Sequence, residues 1–250
     1  MTRIDTTSPF RRISSSPLTA VLALVLVSAG TAALWWLAND EATREAEERF
    51  AYRAEKLSLL FRERMKLYED LLHGGGALFS ASESVSREEW RNWVKAIDLP
   101  MRHPGVQGMG YARVLQRGEI DAHVAAIQAA GFPGYALSPP PGPRELYAPV
   151  VYVEPLEGRN LRLMGQDMLA ERASRDALEL ARDTAQVAMT SRLTLASEDE
   201  IRVQPGFLLY LAVYEGAGKP ATVAERQRAL KGFVFSPFRA GDLMALMTGD

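Results

Sequence analysis

Three histidines, His73, His103 and His123, stand too far apart in the sequence to form a local metal motif. Each is expected to be a solvated or packing imidazole, because a lone histidine rarely marks a site. The 250-residue chain contains no cysteine, which excludes disulfides, thiolate zinc sites and thiol nucleophiles together. The same absence suits an oxidising compartment. Neither a G-x-S-x-G nucleophile elbow, nor a Walker phosphate loop, nor an H-E-x-x-H helix occurs. Gly108-Met109-Gly110 lacks the third glycine of a dinucleotide fingerprint, and Gly216-Ala217-Gly218-Lys219 runs straight into Pro220. The acidic run Glu198-Asp199-Glu200 reads as a solvated turn. Carboxylates capable of acid–base work exist, but their pairing is not readable from spacing. No catalytic residue, metal or cofactor is expected.

Charge narrows the partners. With 29 basic against 31 acidic residues, the formal net charge is −2, and no basic stripe is visible, so no nucleic-acid partner is expected. A content of 47% hydrophobic and 24% charged residues describes a folding chain rather than a disordered one.

Positioning elements begin at the N-terminus. Leu18 to Ala38 carries no charge, and about 20 apolar residues in a helix span a hydrocarbon core of roughly 30 Å. Arg3, Arg11 and Arg12 precede the run, while Asp40 and Glu41 follow it, which places residues 1–17 in the cytoplasm and the remainder outside. A cleaved signal with small residues near Ser28-Ala29-Gly30 or Thr31-Ala32-Ala33 is the rival, although signal cores are shorter, about 7–15 residues. Residues 39–73 follow as a stalk helix, with Ala46, Phe50, Ala54, Leu57, Phe61, Met65, Tyr68 and Leu72 forming an apolar stripe. That stripe serves either packing within the chain or a homodimer seam. Gly74-Gly75-Gly76 is expected to loosen or bend the helix.

Beyond it, Ser86-Arg87-Glu88-Glu89 reads as a capping box. Strands are expected over 106–115, 147–153, 192–196, 207–214 and 230–235. Helices are expected over 119–129, 174–184 and from about Arg239, and 133–143 is a proline-rich loop. The fold class is α+β with mainly antiparallel sheets.

From about Leu71 to Leu243 the chain resembles the CHASE domain, an extracytoplasmic sensory module of receptor histidine kinases and nucleotide cyclases. The matching stretches are GALFSASESVSREEW at 76–90, HPGVQGMGYARV at 103–114, YAPVVYVEP at 147–155 and GQDM at 165–168. They continue with RDALELARDT at 175–184, GFLLYLAVY at 206–214 and GFVFSPFRAGDL at 232–243. The resemblance implies a sensory domain over 74–250 built as two PAS-like lobes, a pocket for a small organic ligand, and a homodimer through the stalk. Tyr147, Tyr152, Met168, Thr190 and Tyr210 are its implied lining, with Ser174 and Arg175 at its mouth. In plant cytokinin receptors of this family, an adenine-binding aspartate aligns with Ser174 and a pocket threonine with Tyr210. A ligand held by other contacts, and smaller than a substituted purine, is therefore expected. The expected whole is the sensing part of an inner-membrane receptor, periplasmic or extracellular, ending before a second span and a kinase or diguanylate cyclase. The alternative is a membrane-tethered extracytoplasmic enzyme or binding protein without signalling output.

Overall fold

Strong helix formers dominate the first third of the chain, and α1 (Pro17–Ala81) is one helix of 65 residues in a computed structural model that describes residues 17–194, 205–216 and 218–248. The basic flank of Arg3, Arg11 and Arg12, the acidic run 198–200 and Ala217 lie outside the described residues. The chain divides into two units, Met1–Ser58 and Leu59–Asp250.

In the first unit, Leu18 and every described side chain from Ala20 to Trp36 are exposed, including Trp35 and Trp36. Thr19, Leu37 and Ala38 of the apolar run are not among the described side chains. Among the described residues no helix is long and apolar enough to cross a membrane. Phe50 is 75% exposed.

The second unit is built on an antiparallel six-stranded sheet. Its strands are β1 (Met109–Arg113), β4 (Val150–Glu154), β5 (Ala188–Met189), β6 (Leu193–Thr194), β7 (Pro205–Tyr214) and β8 (Leu230–Arg239). The order is β4-β1-β8-β7-β5, with β6 also paired to β7. β2 (Leu115–Gln116) and β3 (Leu146–Tyr147) form a separate two-stranded ribbon. Side chains alternate across a strand, so β7 and β8 supply two cores at once. Tyr210, Phe233 and Phe235 pack under α5 (Arg172–Thr184) with Leu178 and Ala181. Leu209, Leu211, Val234 and Phe238 face the last turns of α1, together with Trp90 and Val94 of α2 (Arg87–Ile97) and Leu243 of α7 (Ala240–Thr248). A short α3 (Leu99–Arg102) follows α2. The apolar stripe of α1 enters this core through Phe61, Met65, Tyr68 and Leu72.

The capping box at Ser86 forms as expected: Glu89 N–H donates to Ser86 Oγ at 3.2 Å, and Ser86 N–H donates to Glu89 Oε2 at 2.7 Å. Gly74-Gly75-Gly76, by contrast, stays helical, and α1 passes the expected boundary at residue 73 to end at Ala81. A Cβ at Gly75 would lie 3.0 Å from Val234 Cγ1, and one at Gly76 3.1 Å from Leu211 Cδ2. The glycines let the helix lie close on β7 and β8, and that packing offsets a propensity cost of about 1 kcal/mol each.

Two expected strands are each divided. The 106–115 segment becomes β1 and β2, with Val106 making only an isolated bridge to Phe238. The 147–153 segment becomes β3 and β4, broken at Ala148-Pro149, where Pro149 has no N–H to give a ladder. Of 192–196, Leu193 and Thr194 are strand, and Leu195 and Ala196 lie outside the described residues. Where two PAS-like lobes are expected, the described residues show one large sheet and a small appendage. That appendage is the ribbon with α4 (Ile120–Ala129) and a minor core of Ile120, Tyr135, Leu137 and Tyr147. A one-and-a-half-turn α6 (Val223–Arg228) links β7 to β8.

Candidate functional site

Three of the expected ligand residues meet beneath the large sheet. Tyr210 of β7 is fully buried, and its hydroxyl donates to Met168 Sδ at 3.4 Å. Ser174, in the first turn of α5, donates from Oγ to Glu171 Oε2 at 3.2 Å and lies near enough to the Tyr210 hydroxyl to influence it. Burial pushes the Tyr210 phenol well above its ordinary range, and the Ser174 contact opposes this. The result is a polar thread from the sheet core to exposed Glu171.

The GQDM stretch owes its residue types to this neighbourhood. Gly165 has φ +78° and lies against the Ala136 carbonyl, where a Cβ does not fit. Gln166 accepts from Val150 N–H through its carbonyl at 3.0 Å. Asp167, buried, accepts from Ala148 N–H at 2.9 Å and Leu169 N–H at 3.1 Å through Oδ1, and pairs with Arg144 through Oδ2. Met168 then reaches Tyr210.

The remaining expected residues lie elsewhere. Thr190 Oγ1 accepts from Leu208 N–H at 3.0 Å, tying the segment after β5 to β7. Arg175 donates to the Leu169 and Ala170 carbonyls at 2.9 and 3.2 Å, bracing the turn before α5. Tyr147 is buried in the minor core, with the Arg144 guanidinium 4.7 Å from its ring centre. Tyr152 emerges on the opposite face of the large sheet from Tyr210, donating to the Val85 carbonyl at 2.8 Å.

Tyr152 lines an open cleft of about 790 Å³, within the range of about 300–1,000 Å³ usual for small-molecule sites. Its walls come from Phe79 and Val85 at and beyond the end of α1, Tyr111 and Arg113 of β1, His123 and Ile127 of α4, and Lys231 of β8. Aromatic rings form part of the lining: Phe79 stacks on Tyr111 at 3.9 Å, and Tyr111 stacks on Tyr152 at 6.2 Å.

Positive charge gathers around Tyr152. Arg87 lies behind it, its guanidinium 4.0 Å from the Phe132 ring centre and 5.2 Å from that of Tyr152. Arg87 Nη2 donates to the Val151 carbonyl at 2.7 Å, whereas Nη1 is buried without a hydrogen-bond partner. Burial lowers the Arg87 pKa, with Tyr152 and Glu154 acting against that. Burial raises the Tyr152 phenol, and Arg87 and Arg113 pull it back. His123 is buried, with Nε2 3.1 Å from the Tyr135 hydroxyl. Because that hydroxyl donates to the Val150 carbonyl at 3.2 Å, the network assigns the imidazole proton to Nε2. Burial, then Arg113, brings His123 down to about 4, so the imidazole is neutral at ordinary pH.

Arg87 and Arg113 were not expected as site residues. Arg87 sits inside a capping box that accounts for it locally, and Arg113 ends an apolar strand; only an arginine closing a run of buried residues hints at a functional edge. Among the described residues, no group of His, Cys, Asp or Glu side chains could hold a metal ion. With the geometry in place, comparison with known families returns a match to the CHASE domain over residues 83–250. A search of curated proteins returns no match.

Proposed function

The chain belongs to the CHASE domain family, the extracytoplasmic sensory modules of signalling receptors, and from that premise we propose that it is the ligand-sensing part of a membrane-anchored receptor whose ligand occupies the cleft at Tyr152. The observation carrying the ligand site is the cleft itself: an aromatic-lined cavity of about 790 Å³ built almost wholly from the family-matched region. The Met168–Ser174–Tyr210 cluster is occupied by its own side chains and supports the back of the sheet that forms the cleft. The chain is read as sensing rather than catalysing, with a small organic molecule as its partner and signalling output assigned to a separate module.

Anchoring is supported by the uncharged run Leu18–Ala38, about 30 Å long as helix, and by exposed apolar side chains from Leu18 to Trp36. The flanking charges put residues 1–17 in the cytoplasm and the sensory domain on the far side of the plasma membrane. Carbonate-washed membranes should retain the chain with Met1 to Ala38 intact. Recovery of a soluble species beginning near Ala32 or Ala33 refutes the anchor. Sensing is tested by thermal denaturation of the detergent-solubilised chain against small metabolites. A ligand at hundredfold excess over its Kd should add about 2.7 kcal/mol of stability. A stabilising ligand whose affinity is unchanged by Tyr152→Ala refutes the cleft as its site.

A further inference from the structure

We propose that the cleft selects a small carboxylate with an apolar body, its carboxylate held by Arg113 and its body lying against Tyr111 and Tyr152. This rests on the reading of the cleft as the sensing site. Arg113 lines the cleft beside Tyr152, the Arg87 guanidinium lies 5.2 Å from the Tyr152 ring centre, and among the described residues neither arginine forms an ion pair with a carboxylate. Glu154, the acid nearest in influence to Arg87, is already paired with Arg91 at 3.1 Å. Arg87 is half-buried and keeps a buried Nη1 unsatisfied, which is costly, whereas Arg113 is exposed to the cleft.

The cleft's own acids do not supply the missing charge. Glu83, Glu119 and Glu215 line the cleft but none is ion-paired with Arg113; Glu119 Oε2 accepts from the Gln116 N–H at 2.7 Å, and all three are exposed. Lys231, half-buried on the same wall, reaches only the Glu83 carbonyl, at 3.4 Å. Arg182 differs from these cations, being neutralised by Asp183 at 2.6 Å. Arg113 is exposed at the end of β1, so its planar fork is free to take a carboxylate bidentately. Neutral His123 adds no competing charge and leaves an apolar wall with Ile127. An anion's head group and a flat or aliphatic body thus find complementary surfaces side by side.

The test uses the full solubilised chain, with phenylacetate and hexanoate as probes and phenylacetamide and hexanamide as their uncharged counterparts. Titration calorimetry should show at least one acid binding and its amide binding at least about tenfold more weakly, as loss of a charge-assisted bond requires. Arg113→Gln should weaken the acid by about 10- to 100-fold, and Arg113→Lys should restore part of that loss. Because Arg113 is exposed, both variants should keep the parent circular dichroism spectrum. Failure of both acids to bind overturns the proposal. Acids and amides binding equally, with Tyr152→Ala weakening both, overturns charge selection but keeps the cleft as a ligand site. Binding indifferent to both Arg113→Gln and Tyr152→Ala overturns the cleft reading as well.

Discussion

Replacing Asp167 with alanine tests the physical account of the GQDM turn most directly. Its side chain has no exposed surface, and Oδ1 accepts two main-chain N–H groups, those of Ala148 and Leu169. Truncation leaves both donors without their acceptor, at about 1–3 kcal/mol for a fully buried one. Leu169 is only partly buried, so water can reclaim some of its share. The Arg144 guanidinium also loses its counter-charge while its Nη1 is already unpartnered. Breaking a buried pair from one side costs about 3–5 kcal/mol, but the Arg144 side chain is 29% exposed, which argues for the low end. Because these contributions overlap, we expect about 3–5 kcal/mol for Asp167→Ala, a large part of a typical folding stability of about 5–15 kcal/mol. Asp167→Asn keeps the Oδ1 acceptor but sets an amide N–H donor against Arg144 where Oδ2 accepted, so a smaller loss than alanine's, about 1–3 kcal/mol, is expected. Urea unfolding of the solubilised chain, followed by the fluorescence of fully buried Trp90, reads both values. A loss below about 1 kcal/mol for alanine at unchanged m-value, or an asparagine variant as damaged as the alanine one, refutes the reasoning.

Three further outcomes follow from the same structure. With His123 brought down to about 4, the unfolded chain protonates first as pH falls through about 6.5. Its contribution is therefore full above about 6.5 and is lost toward pH 4, up to about 3 kcal/mol, and His123→Gln should flatten urea midpoints across that window. Gly75→Leu should destabilise by about 1–3 kcal/mol through overpacking against Val234 and Trp93, whereas Gly118→Ala, with open space at its Cβ, should stay near neutral in the same titration. Phe50→Cys should cross-link between two copies in oxidised membranes, since Phe50 is exposed on α1 and no native cysteine competes. A purely monomeric band under those conditions argues against a stalk dimer.

Local chemistry was readable wherever the deciding partner lay nearby in sequence. Ser86 and Glu89 announce their own helix start, and the unbroken apolar run 207–214 reads as a strand, which the structure buries on both faces. The glycine triad was not readable, because its reason is a surface contributed by Leu211 and Val234, far along the chain. Tyr147 and Tyr152 look like one strand's aromatic pair, yet Pro149 divides them between the ribbon and the large sheet. The gathering of Met168, Ser174 and Tyr210 was accessible through family likeness rather than through spacing. Arg87 escaped notice because a helix N-terminus already gives an arginine there nothing particular to do, and its stacking partners, Phe132 and Tyr152, are distant in sequence.

The place of β8 in the sheet has a consequence for how the protein is made. Among the described residues it is the last strand of this sheet in chain order, yet it lies between β1 and β7 and pairs with both. Until Leu230–Arg239 has left the ribosome, β1 can pair only with β4, and β7 only with its short neighbours β5 and β6. The nascent chain therefore carries two partial sheets with open hydrogen-bonding edges and uncovered apolar faces, a state prone to pairing with other chains. Joining Tyr111 to Val234 closes a loop of more than a hundred residues, a slow kind of contact to make. Closure of the sheet thus waits on β8, the strand that joins its two halves.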